Sequence, residues 1–178
     1  MEKNKNRFTA GDIAYIGMML AVIEVCKLAL SSVPNIELTS FWLIMFTLCF
    51  GKRIVVLVPA FIILEGAIYG MNLWWVMYMY VWPLLVIVTW LFRRMNSALF
   101  YAVLSGIFGL SFGFLCSLPY FFVELPSGGF QTAVKTVYAY WITGLPWDAV
   151  HGLGNFVIML ILYKPIRRVM LRFSGRTP

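Results

Sequence analysis

The chain has 178 residues, of which 62% are hydrophobic, 17% aromatic and only 12% charged. Soluble domains carry about 25% charged residues, so this composition excludes a water-facing surface and leaves room for about six bilayer spans of ~20 residues. The net charge of +7 suggests nucleic acid at first glance, but the distribution of the basic residues along the chain favours a membrane explanation.

Met1 to Arg7 is charged and leads into an apolar stretch with no small-residue cleavage site, so a cleavable signal peptide is not expected. Basic residues then cluster between apolar runs: Lys52 and Arg53; Arg93 and Arg94; Lys164, Arg167, Arg168, Arg172 and Arg176. Six helices fit between the clusters, at about 10–30, 37–51, 54–71, 73–92, 97–122 and 146–165. Placing Lys3, Lys5, Arg7 and the later clusters on one side satisfies the positive-inside rule throughout. The expectation is one all-α membrane domain over 1–178, with six transmembrane helices and both termini cytoplasmic, in a bacterial plasma membrane.

In the first span Glu24 and Lys27 are three apart on one face and can neutralise each other. Ala14, Gly17 and Ala21 form a small-residue surface that lets another helix approach closely in lipid. The second span is short, with fourteen residues between Glu37 and Lys52, about 21 Å of helix. Merging 38–70 into one helix would place Lys52 and Arg53 at mid-membrane, at roughly 2.5–3.5 kcal/mol each, so two helices are preferred. Glu65 in the third span has no partner in its own helix and must find one elsewhere or be protonated.

The fourth span opens with Trp74, Trp75, Tyr78, Tyr80 and Trp82. Most belong to an interfacial aromatic belt, but Trp74, Tyr78 and Trp82 make an i, i+4, i+8 stripe. Facing inward, that stripe would stack against a ring or a cation. Ser105, Gly109 and Gly113 mark close helix packing in the fifth span. The external segment 123–145 begins with turn-forming Glu124–Gln131. Residues 132–143 then read as an amphipathic helix, either a lid or an interfacial anchor carrying Trp141, before Gly144 and Pro146 break it.

The sixth span carries the clearest chemistry. Asp148, His151 and Asn155 fall at i, i+3 and i+7, on one helix face, and His151 is the only histidine. Polar groups inside a membrane usually mark a site or pathway. Asn35, Glu37 and Asn72 lie at the outer boundaries. All of these except Asn155 converge on the outer half of the bilayer.

Other chemistries find little support. Cys26, Cys49 and Cys116 sit in apolar sequence without CxxC spacing, and one histidine makes a zinc site implausible. His151-x-x-x-Asn155 matches one motif of intramembrane CAAX-type proteases, whose paired glutamates and second histidine helix are missing. No P-loop is present, so no ATP hydrolysis is expected, nor any cofactor, metal or enzymatic activity.

Six helices in under 200 residues, with Gly144-Leu-Pro-Trp-Asp148-Ala-Val-His151-Gly-Leu-Gly-Asn155, resemble the substrate-binding S component of energy-coupling factor (ECF) transporters. Pro34-Asn-Ile-Glu37-Leu-Thr-Ser, followed by Phe50-Gly51-Lys52, is similar to the first loop and second helix of such proteins. The resemblance implies a membrane subunit that captures a vitamin or precursor from outside. It would then associate with a transmembrane T component and two cytosolic ATPases. It places the pocket among helices four to six, roofed by the first, third and fifth loops, here Asn35–Glu37, Met71–Trp74 and 123–145. It also implies a coupling surface of Ala-x-x-x-Ala type in helix one. The literal match, Ala10 to Ala14, contains Asp12, and Ala14/Met18 and Gly17/Ala21 are the deeper alternatives.

The expected ligand is a small ring-containing heterocycle. Asp148, His151 and Asn155 would hydrogen-bond it, Trp74 and Tyr78 would stack on it, and Glu37 or Glu65 would supply an acid. Two rivals remain: a membrane assembly protein without a small-molecule ligand, and an autonomous small carrier.

Overall fold

The computed structural model describes residues 9–173, so Lys3, Lys5, Arg7 and Arg176 lie outside the described residues. Among those described the fold is all-helical, with no strand: α1 (Ala10–Ala29), α2 (Thr39–Phe50), a 3-10 turn (Gly51–Arg53), α3 (Ile54–Tyr69), α4 (Leu73–Leu91) and α5 (Ala98–Phe173). Three helical runs are long and apolar enough to cross a membrane: Thr39–Tyr69, Leu73–Leu91 and Ala98–Phe173. These are compatible with a multi-pass membrane protein.

Local chemistry sets the boundaries. Thr9 opens α1 with a capping box: its backbone N–H donates to Asp12 Oδ2 at 2.9 Å, and the Asp12 N–H donates to Thr9 Oγ1 at 3.2 Å. Gly51, at φ 61° and ψ −119°, takes the chain out of helical geometry between α2 and α3. A side chain would be strained there, and the residue stands where the sequence places a division in the 38–70 run. Ten of the twelve α2 residues are buried. A helix apolar all round belongs inside a protein, so α2 is the hub on which α1, α4 and α5 pack.

The long run α5 is broken once, at Gly129, where φ is 70° and ψ 176°. It folds back on itself there into arms 98–128 and 130–173. Antiparallel contacts mark the pairing: the Tyr101 and Tyr163 rings stack at 5.4 Å, and those of Tyr120 and Tyr140 lie 4.5 Å apart. Between them the arms approach through glycine. A Cβ on Gly109 would stand 2.8 Å from Gly152 Cα, so only glycine permits this separation.

One expectation is corrected. The reversal at Gly129 falls inside the turn-forming segment 124–131, but Gly144–Pro146, expected to break the helix, does not do so: the second arm runs through it without interruption. Pro146 removes one backbone donor, but the arm is held on both sides of it, by Tyr140 against Tyr120 and by Asp148 against Gly113. Tertiary packing overrides the local signal. Asp148 and His151 therefore sit within a helix rather than at its start.

The basic clusters gather at one end of the bundle. Arg53 Nε donates to Asp12 Oδ1 at 2.6 Å, and the Tyr15 hydroxyl donates to the Phe173 carbonyl at 3.4 Å. The Tyr101 hydroxyl donates to the Phe92 carbonyl at 2.9 Å. These ties bring together the start of α1, the Gly51 turn, the α4–α5 loop and the end of the second arm.

Candidate functional site

At the other end, the loop between α1 and α2 delivers Glu37. Asn35 turns this loop with a left-handed φ of 58°, a conformation asparagine tolerates better than most residues. The Glu37 carboxylate accepts the backbone N–H groups of Thr39 and, at 3.1 Å, Ser40, answering the unpaired donors at the start of α2. Its Oε1 also lies 3.2 Å from His151 Nε2. An ionised carboxylate only accepts, so the imidazole donates. Glu37 lies outside the apolar run that begins at Thr39. Burial pushes its carboxyl up, but the contacts with His151, Ser40 and Thr39 outweigh it and hold the group below its ordinary range.

The second arm supplies the matching face. His151, 5% exposed, packs edge-on against Phe112 at 4.9 Å. One turn earlier, Asp148 is 6% exposed. Its Oδ1 accepts the Gly113 N–H at 2.9 Å, while Oδ2 is buried with no partner. Gly113 has to be glycine because the carboxylate occupies the space a Cβ would fill.

Asp148 lines a cavity of about 950 Å³ walled by Pro34 and Asn35, Trp74, Met77 and Tyr78 of α4, Phe112 to Tyr120 of the first arm, and Thr136 to Trp147 of the second. The volume lies toward the upper end of the roughly 300–1,000 Å³ typical of small-molecule sites. A second cavity of about 290 Å³ adjoins it, sharing Pro34, Asn35, Tyr78 and Phe112, and adds Lys27, Glu37, Trp82 and His151. The α4 stripe faces inward: Tyr78 lies 5.1 Å from Trp74 and 5.2 Å from Trp82, edge to face.

Asn35, Glu37, Trp74, Tyr78, Asp148 and His151 thus line the joined cavities. The other predicted residues stand elsewhere. Asn155, 2% exposed, is buried with its Nδ2 unpartnered and lines neither cavity. Asn72 is the exposed residue that opens α4. Trp141 packs edge-on against Phe114 at 5.3 Å. Glu65, 1% exposed, forms an ion pair with Lys27, and Glu24 lies alongside. Lys27 therefore pairs across helices rather than with Glu24 on its own, and its ammonium sits 5.3–5.8 Å from the Phe61, Tyr69 and Tyr78 ring centroids.

Sequence reasoning missed Phe112, Cys116 and Tyr120 as one wall. Their i, i+4, i+8 spacing is the signal that finds them, obscured by the adjacent glycine stripe. It also missed Thr136 and Thr143 on the second arm.

Chemically, the arrangement offers a carboxylate with a free acceptor, a histidine–glutamate pair and aromatic faces around a space of ligand size. Among the described residues no group of three or more His, Cys, Asp or Glu is placed to hold a metal ion. The α1 face of Ala14, Gly17 and Ala21 is exposed, and nothing lies within 4 Å of where a Gly17 Cβ would be. Comparison with family models, curated proteins and solved structures finds no match to this chain.

Proposed function

We propose that this protein is a membrane-embedded binding subunit that captures a small, ring-containing, cationic or donor-rich molecule, of the kind the resemblance to ECF S components implies. The observation that carries the reading is Asp148 Oδ2, a buried carboxylate oxygen without a partner on an aromatic-walled cavity. Leaving a buried charged acceptor unpaired costs upward of about 1–3 kcal/mol. A ligand N–H or O–H placed there recovers that cost, while Trp74 and Tyr78 stack on its ring.

The same reading assigns six spans, with the cavity outward and the basic end cytoplasmic. In its favour, Asp12 and Lys27 of α1 are paired with Arg53 and Glu65, Gly51 divides the 39–69 run, and Gly129 divides α5. The exposed Ala14–Gly17–Ala21 face is the surface offered to a transmembrane partner, which together with cytosolic ATPases would drive release. On this reading the chain binds rather than transforms its ligand.

The experiment is mass spectrometry of small molecules retained by the purified protein, alongside Asp148→Asn. Wild type should retain a heterocyclic amine or similar donor that the variant loses. Equal retention by both, or no retained molecule and no stabilisation by any heterocyclic amine tested, overturns the proposal.

A further inference from the structure

At the opposite end of the bundle lies a cavity of about 280 Å³ that the ligand site does not use, lined by Asn96, Tyr163, Lys164, Arg167, Arg168 and two apolar neighbours. We propose that it is a phosphate-binding site, taking either the phosphodiester of an acidic phospholipid headgroup or free inorganic phosphate.

A surplus of basic residues at this end satisfies the positive-inside bias without any site. Two unpartnered buried donors go beyond that bias. Tyr163 is 2% exposed, and its hydroxyl has no hydrogen-bond partner among the described residues; nor does the buried Arg167 Nε. Both are held in place. The Tyr163 ring stacks on Tyr101 at 5.4 Å, and the Arg167 guanidinium lies over the Tyr163 ring at 5.8 Å.

The hydroxyl of Tyr101 is already committed to the Phe92 carbonyl, fixing the loop that presents Asn96. No ion pair within the described residues involves Lys164, Arg167 or Arg168. Two guanidinium groups, one ammonium and a phenol around one small space are donors without a matching acceptor. A tetrahedral oxyanion supplies several acceptors at once.

The depth suits a headgroup. From Asp148 to Arg167 is nineteen residues of helix, about 28 Å, close to the ~30 Å hydrocarbon thickness of a bilayer. This inference stands whether or not the cavity at Asp148 binds a small molecule.

The test uses the full chain in bilayer discs of mixed phosphatidylglycerol and phosphatidylcholine, with retained lipid counted by native mass spectrometry. A parallel arm titrates inorganic phosphate against protein in phosphatidylcholine alone and follows the melting temperature. A lipid phosphate should appear as about tenfold enrichment of one phosphatidylglycerol, unmoved by added phosphate. Free phosphate should appear as stabilisation in the second arm. Tyr163→Phe keeps the ring stack and should weaken whichever is seen by about five- to tenfold, the worth of one hydrogen bond; Arg167→Gln should weaken it further. Arg93→Gln with Arg94→Gln removes comparable charge from side chains that do not line the cavity and should leave binding unchanged. The proposal is overturned if both enrichment and stabilisation are absent, if the Arg93/Arg94 variant loses binding equally, or if Tyr163→Phe and Arg167→Gln lose none.

Discussion

His151 Nε2 stands 3.2 Å from Glu37 Oε1 although 114 positions separate the two residues. The contact ties the α1–α2 loop to the second arm of α5 on the wall of the smaller cavity. A double-mutant cycle with Glu37→Gln and His151→Ala should return a coupling of about 1–3 kcal/mol in thermal unfolding. Simple additivity would show that the pair does not hold the loop.

The Glu37 carboxyl, depressed below its ordinary 4.5, gives the pH dependence its sign. A depressed carboxyl contributes stability that is full above the unfolded pKa and is lost as pH falls toward the folded one. As the pH falls below the ordinary carboxylate range, the melting temperature of wild type should therefore drop more than that of Glu37→Gln. Parallel curves would contradict the assignment.

At Asp148 the conservative variant separates binding from folding. Asp148→Asn keeps an acceptor for the Gly113 N–H but removes the charge offered by Oδ2. Loss of a charged hydrogen bond costs about 1.5–3 kcal/mol, roughly 10- to 150-fold in affinity. The retained small molecule should fall accordingly while the melting temperature of the ligand-free protein stays close to wild type. A variant that melts much earlier and still keeps its ligand would reverse the roles given to the two oxygens.

Lys27 and Glu65 form a buried pair across α1 and α3. Removing the cation alone, as in Lys27→Met, strands a carboxylate and should destabilise by about 3–5 kcal/mol. Adding Glu65→Gln should recover most of that loss. Equal stability of Lys27→Met and wild type would show that the ion pair makes no net contribution to stability.

Glycine substitutions should divide by location. Gly109→Ala drives a methyl into Gly152, and overpacking of this kind costs about 1–3 kcal/mol. Gly17→Ala meets nothing and should gain about 0.5–1 kcal/mol from helix propensity. The melting temperatures of the two variants should therefore move in opposite directions.

The helical class, the division of the 38–70 run and the shared face of Asp148 and His151 were legible in the sequence, as was the spacing of the aromatic stripe, though not its direction. Each rests on a local signal: composition, the cost of placing Lys52 and Arg53 at mid-membrane, or spacing along one helix. What could not be read depends on neighbours distant in the chain. Lys27 looked paired with Glu24 because sequence exposes only same-helix partners, whereas Glu65 reaches it from α3. Pro146 signalled a helix start, but aromatic and carboxylate contacts from the first arm hold the helix through it. Phe112 and Tyr120 became site residues only because the fold at Gly129 lays one arm along the other.

That hairpin carries a mechanical consequence. The carboxylate that faces the hollow is also the rivet between its two limbs, gripped by Gly113 through the oxygen adjacent to the free one. A molecule drawing on the free oxygen therefore pulls on the rivet. Filling the hollow and setting the gap between the limbs are then a single degree of freedom, and a distance probe spanning the limbs should register loading even with its labels far from the bound molecule.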